Sequence, residues 1–160
     1  MVPLASGWMD KTTPTPPAWL PPVLAGIQFA CIGAVLATGP LWATAPWLLG
    51  MQIAAVGLGL WAIGVMRPGR FNLTHRPRPG APLVERGPYA VIRHPMYLAV
   101  LLFCGALVAA RPTPLRLGLG GLLLADLLLK LHLEEEALMA ERDGYAAYRE
   151  RTYRLIPFLY

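Results

Sequence analysis

LPPVLAGIQFACIGAVLATGPLWATAPWLLGMQIAAVGLGLWAIGVM, residues 20–66, contains no charged side chain, and the charge-free run reaches back to Thr12. A water-soluble domain needs a charged, solvated face somewhere in 55 consecutive residues, and this stretch offers none. The run is broken at Gly39-Pro40 and again at Pro46, with Trp42 and Trp47 bracketing a very short turn. It therefore reads as two membrane crossings, residues 22–41 and 47–66, each of about twenty residues and long enough to span the hydrocarbon layer. Gly50, Gly57 and Gly64 recur every seven residues along the second and predict a smooth face for close helix contact. Gly57-Leu58-Gly59 lacks the preceding strand that a nucleotide-binding loop requires, so helix packing is the better reading.

The whole chain supports that reading. It is 56% hydrophobic and only 14% charged, too apolar for an ordinary soluble domain, and its 160 residues suffice for one domain. The net charge of +5 comes mainly from loop arginines beside apolar spans, which positive-inside topology explains better than nucleic-acid binding does. Cys31 and Cys104 lie in apolar runs and are expected to be reduced thiols at lipid depth. Residues 1–21 form a Pro-rich tail, with Trp8 and Trp19 as interfacial anchors. The tail has no basic n-region, and Pro3, Pro14, Pro16 and Pro17 interrupt it, unlike a signal peptide.

Residues 67–94 are the first polar segment, with Arg67, Arg70, Arg76, Arg78, Arg86 and Arg93 against Glu85 alone. Pro68, Pro77, Pro79 and Pro82 preclude a long helix, and the arginines assign this loop to the cytoplasm. A third span is expected at 95–110; it is short, which implies burial among neighbours or a thinned bilayer. Arg111-Pro112-Thr113-Pro114 turns the chain, and a fourth span follows at about 115–133, with Gly118, Gly120, Gly121 and Ala125 as packing residues. The expected fold is thus an all-α integral membrane bundle of about four transmembrane helices, one domain over residues 22–160. A cytoplasmic, interfacial helical segment ends it, and both termini are expected on the cytoplasmic side.

Two polar clusters stand out against this background. The first is Arg86-Gly87-Pro88-Tyr89-Ala90-Val91-Ile92-Arg93-His94-Pro95-Met96-Tyr97, where the basic loop meets the third span. Pro95 biases His94 away from helical dihedrals and suits the first helical turn, and Tyr97 then falls near the face His94 occupies. The second cluster is Glu134-Glu135-Glu136, at the end of the fourth span. Spans three and four form an antiparallel hairpin, so the clusters are expected at one depth on the cytoplasmic face. Inside the fourth span, Asp126 and Lys130 stand one helical turn apart, with an i,i+4 ion pair as the simplest expectation and a direct site role as the alternative.

Arg93 and Arg86 suit a carboxylate or phosphate, Glu134 and Glu135 a cation or hydroxyls, and Tyr89 and Tyr97 a planar ring or a cation. That inventory matches S-adenosylmethionine, and residue types alone match a nicotinamide dinucleotide equally well. A metal centre fits poorly: His75, His94 and His132 lack paired ligand spacing, and three consecutive carboxylates cannot all face one ion.

Gly87-Pro88-Tyr89-x-x-x-Arg93-His94-Pro95-Met96-Tyr97, then Glu134-Glu135-x-x-Leu138, then Tyr145-x-x-Tyr148 and Arg154-Leu155-Ile156-Pro157 occur in this order. Over about residues 57–160 the chain resembles the isoprenylcysteine carboxyl methyltransferase family, itself similar to the phospholipid N-methyltransferases. The resemblance implies a membrane-embedded, S-adenosylmethionine-dependent methyltransferase whose cofactor pocket is lined by His94, Tyr97, Glu134 and Glu135, with Glu136 as the alternative register. Ala99 stands where the family has Gly, which would tighten the approach to the cofactor, and Arg142-Asp143-Gly144 replaces a Phe-Gly region.

The implied chemistry is in-line methyl transfer to a lipophilic or amphipathic acceptor at the cytoplasmic interface: a prenylcysteine carboxylate, a lipid amine or a hydrophobic thiol. Positioning and exclusion of water would dominate, and His94 or a carboxylate would take a proton where the nucleophile must lose one. The candidate catalytic residues are His94, Arg93 and Glu135; the candidate cofactor-binding residues are His94, Tyr97, Tyr89, Glu134 and Glu135. Two other classes fit parts of the pattern. One is an NADPH-dependent reductase of the sterol-reductase type, and the other is a non-enzymatic scaffold whose arginines bind anionic lipid.

Overall fold

Each long helix begins at or beside a proline, which pre-sets the backbone for a first helical turn where no N–H partner is needed. The computed structural model describes residues 16–66, 83–142 and 144–158. Helix α1 spans Leu20–Ala37, with Pro21 in its first turn. Helix α2 spans Pro46–Met66, α3 Pro95–Ala110 and α4 Pro114–Glu141, where Thr113 caps the Arg116 N–H at 3.3 Å. A short 3-10 turn at Gly87–Ala90 precedes α3, and α5, Tyr145–Glu150, follows α4. The described residues are all helical but for turns and one isolated parallel bridge between Ile92 and Tyr153. The expected tail at 1–21 and loop at 67–94 fall largely outside the described residues, including Trp8 and His75.

Helices α1 and α2 are long and apolar enough to cross a membrane, and α3 is a shorter apolar helix. Helix α2 packs on α3, α1 packs on α4, and the α3–α4 contact joins the two pairs. Cys31, Cys104, Leu123 and Leu127 form the core shared by α1, α3 and α4, and both cysteines are free. The outer surface is apolar: Phe29, Ile53, Leu60, Trp61, Leu117 and Leu122 are each more than half exposed. The interior holds Gln52, Arg116, Asp126 and Lys130.

Two of these interior polar groups, Gln52 and Arg116, serve the helix ends. Gln52 accepts from the Ala43 N–H at 2.8 Å and donates to the Leu41 carbonyl at 3.1 Å, closing the α1–α2 turn. Arg116 donates from Nη1 to the Val35 carbonyl at 3.1 Å and from Nη2 to the Leu107 carbonyl at 2.6 Å. One guanidinium thus supplies donors to the last turns of both α1 and α3, where carbonyls lack partners and the helix dipole is negative. It lies against Gly39, where a Cβ would have no room.

Three expectations are corrected. A Cβ added at Gly50, Gly57 or Gly64 would meet nothing within 4 Å, so the heptad glycines face away from the bundle. In α4 only Gly120 of the three glycines approaches a neighbour, Val108 at 3.4 Å. Asp126 and Lys130 form no ion pair: the Lys130 Nζ turns to the Gln28 Oε1 on α1, and both Asp126 carboxylate oxygens are buried without a partner. Helix α4 continues past the expected span limit of 133 as a helical extension, so the glutamates lie within it.

Candidate functional site

The approach to α3 is shaped by backbone geometry. Gly87 has φ of +61°, and a Cβ there would come within 2.6 Å of Val65 Cγ2 and 3.2 Å of Trp61 Nε1. Only glycine takes this conformation freely and lets the turn lie on the end of α2. His94 then sits at φ −123° and ψ 58°, outside the helical region as its following proline requires. The backbone beside it is strapped to the C-terminal segment: Arg93 N–H donates to the Tyr153 carbonyl at 2.8 Å, and Tyr153 N–H to the Val91 carbonyl at 2.9 Å.

On this frame Arg93, His94 and Tyr97 meet Glu134 and Glu135 of α4. The His94 and Tyr97 rings stack, with centroids 5.5 Å apart and planes inclined by 3°. Tyr97 Oη donates to Glu134 Oε2 at 2.9 Å. His94 bridges the two carboxylates, its Nε2 lying 3.3 Å from Glu135 Oε1 and its Nδ1 3.8 Å from Glu134 Oε2. Glu136 points elsewhere, pairing with His132 at 3.2 Å on an exposed face. Of the three consecutive carboxylates, the first two are therefore the pair turned toward α3.

The two glutamates differ. Glu135 is a hub: Arg93 Nε donates to its Oε1 at 2.7 Å, and Arg154 Nε lies 3.0 Å from its Oε2. Its side chain is 6% exposed, against 31% for Glu134. Burial pushes the Glu135 carboxyl up, but hydrogen bonds from His94 and Arg93 outweigh it and hold the group down at about 2. Glu134 is the more open of the pair, and the Tyr97 and His94 contacts both fall on its Oε2.

Arg93 is spent within the protein. Besides Glu135 it donates from Nη1 to the Arg149 carbonyl at 3.0 Å, to the Thr152 carbonyl and to Thr152 Oγ1 at 3.3 Å. It thereby caps the end of α5 and locks the C-terminal segment to α3. These contacts engage the Nε and Nη1 of Arg93, a candidate for holding a ligand's anionic group, and Arg86 is exposed at the start of the 3-10 turn. Tyr89 is buried with its Oη 3.9 Å from Met66 Sδ, while its carbonyl accepts from Tyr148 Oη at 2.7 Å. Burial, then the Glu134 charge, raise the Tyr89 phenol well above its ordinary value. Ala99 packs toward Gly59 of α2, 3.6 Å from a Cβ built there, which places it in the α2–α3 contact.

Arg154, Thr152 and Tyr145 join this cluster although the sequence reading gives none of them a site role. Tyr145 is 1% exposed, and its Oη has no hydrogen-bond partner. Burial, followed by the Glu135 charge, raises its phenol above the ordinary range, so it stays a neutral donor. The signal in the sequence was present as Tyr145-x-x-Tyr148 and Arg154, but the return of that segment to the start of α3, through the bridge at Tyr153 and the Arg93 and Tyr148 contacts, was not written in it. No family model, characterised protein or solved structure matches this chain.

Proposed function

We propose that the protein is an integral membrane methyltransferase that uses S-adenosylmethionine and resembles the isoprenylcysteine carboxyl methyltransferases. In this reading α1–α4 are four crossings, both termini are cytoplasmic, and the His94–Glu134 cluster lies at the cytoplasmic interface. The observation that carries it is the meeting of His94 and Tyr97 with Glu134 and Glu135 across two helices, 37 residues apart between Tyr97 and Glu134.

The residues fit the cofactor. Glu134 offers a partly open carboxylate to a cationic or hydroxyl-bearing ligand, and Tyr145 Oη is a buried donor still lacking an acceptor. When bound, S-adenosylmethionine supplies a methyl group activated on a sulfonium. Glu134 would hold the cofactor's polar groups, and the stacked His94 and Tyr97 rings would flank it. Glu135, neutralised by Arg93 and Arg154, fixes the orientation of His94. A proton lost by an amine or thiol acceptor would be taken up by His94 or by Glu134, the more open carboxylate beside it. The acceptor would arrive from the bilayer along the apolar core and the cofactor from water.

The test is transfer of a labelled methyl group from S-adenosylmethionine into organic-extractable material by the protein in lipid nanodiscs. Label is expected in the organic phase with the wild type and not with Glu134→Ala. Absence of label together with NADPH oxidation would move the protein to the reductase class. The scaffold reading rests on one observation, the internal saturation of Glu135, and predicts neither activity.

A further inference from the structure

Deeper in the bundle lies a polar group that the cluster above does not use. Asp126 is 5% exposed, and neither Oδ1 nor Oδ2 has a hydrogen-bond partner. A carboxylate buried in this way is strongly disfavoured unless something supplies donors to it. Its natural partner is diverted: Lys130, also buried, donates to Gln28 of α1 and lies 6.0 Å from the Tyr97 ring centroid. Asp126 precedes Leu127, which packs with Cys31 of α1 and Cys104 of α3.

The positions 126, 130 and 134 follow one another at i, i+4 and i+8 along α4 and so share a broad face. They descend about 12 Å from Glu134, beside the core of Cys31, Cys104, Leu123 and Leu127. Asp126 thus stands two turns inward of Glu134 on the same face of α4, beside Lys130 and the apolar core.

We infer that Asp126 is a recognition subsite for a neutral hydrogen-bond donor, a hydroxyl carried on the apolar part of a membrane-borne acceptor. This rests on the methyl-transfer reading for what the acceptor is, though not for whether the subsite binds. Charge selects the donor class. A hydroxyl supplies the hydrogen bond that the Asp126 carboxyl lacks without adding charge to the interior beside Lys130. An ammonium would leave surplus positive charge in the interior. Recognition by a buried polar group also discriminates strongly, because an acceptor without the hydroxyl leaves Asp126 unpaired.

The experiment is native mass spectrometry of the full-length protein in detergent, titrated separately with dodecanol, dodecane and dodecylamine. For wild type, dodecanol is expected to bind about tenfold more tightly than dodecane, and Asp126→Leu should reduce the preference to within about twofold. Should Asp126→Leu fail to fold, Asp126→Ala, which also removes both oxygens, is expected to lose most of the preference. Equal binding of dodecanol and dodecane to wild type would overturn the inference, as would a preference surviving in Asp126→Leu or tightest binding of dodecylamine. S-adenosylhomocysteine binding by the same samples is a separate readout. Its failure in wild type would overturn methyl transfer while the dodecanol preference still decides the subsite.

Discussion

Glu135 and Glu134 are neighbours with opposite situations, and the difference can be measured. Glu135 is buried among Arg93, His94 and Arg154, so Glu135→Ala removes the carboxylate that two guanidinium groups and an imidazole share and is expected to destabilise the protein by about 3–5 kcal/mol. Its carboxyl is held at about 2, below the 4.5 of an unperturbed group. A depressed carboxyl stabilises the fold fully above the unfolded value and ceases to do so as pH falls through the folded one. The wild type should therefore lose roughly 3 kcal/mol between about pH 5 and pH 2 from this group. A melting-temperature profile against pH should be flatter over that window in Glu135→Gln, and an unchanged slope would show that Glu135 does not hold the cluster.

At the scale of elements, the starts of α2 and α3 were legible because a proline marks each. The end of α4 was not. The charge run from Glu134 suggested the end of a span, and a span's end need not be a helix's end when two of its glutamates have partners on α3. The ion pair expected of Asp126 and Lys130 failed because spacing along one helix cannot reveal Gln28 on another. Gly87 is the tightest joint. Gly87→Ala meets both an unfavourable φ and the Val65 side chain, so a loss of about 1–3 kcal/mol is expected, which Val65→Ala should restore only in part. Arg116→Met removes donors from the ends of α1 and α3 and should cost about 2–3 kcal/mol, and Arg116→Lys should not restore it because one ammonium cannot reproduce the guanidinium fork. Chemical denaturation in detergent checks both pairs; full rescue by either second variant would refute the corresponding account.

Among the described residues, large leucine, isoleucine and tryptophan side chains line the outside of the helices while Arg116, Lys130, Asp126 and Gln52 are buried within an otherwise apolar core. That pattern suits lipid as the surrounding solvent. It predicts that alkaline carbonate leaves the protein in the membrane pellet; release into the supernatant would contradict a multi-pass reading. The meeting of His94 and Tyr97 with Glu134 and Glu135 was legible because a hairpin of two helices sets positions at matching ends side by side. The contributions of Arg154, Thr152 and Tyr145 were not, because they depend on a return of the chain through an isolated bridge that no periodicity announces. The central claim is that this cluster is a ligand site and more than an internal clamp. The most direct test is the melting temperature of wild type and Glu134→Gln with increasing S-adenosylhomocysteine, alongside NADPH. The account predicts that S-adenosylhomocysteine, and not NADPH, raises the wild-type value, while Glu134→Gln keeps its basal stability and loses the rise. No rise in wild type, or an equal rise in Glu134→Gln, would contradict it.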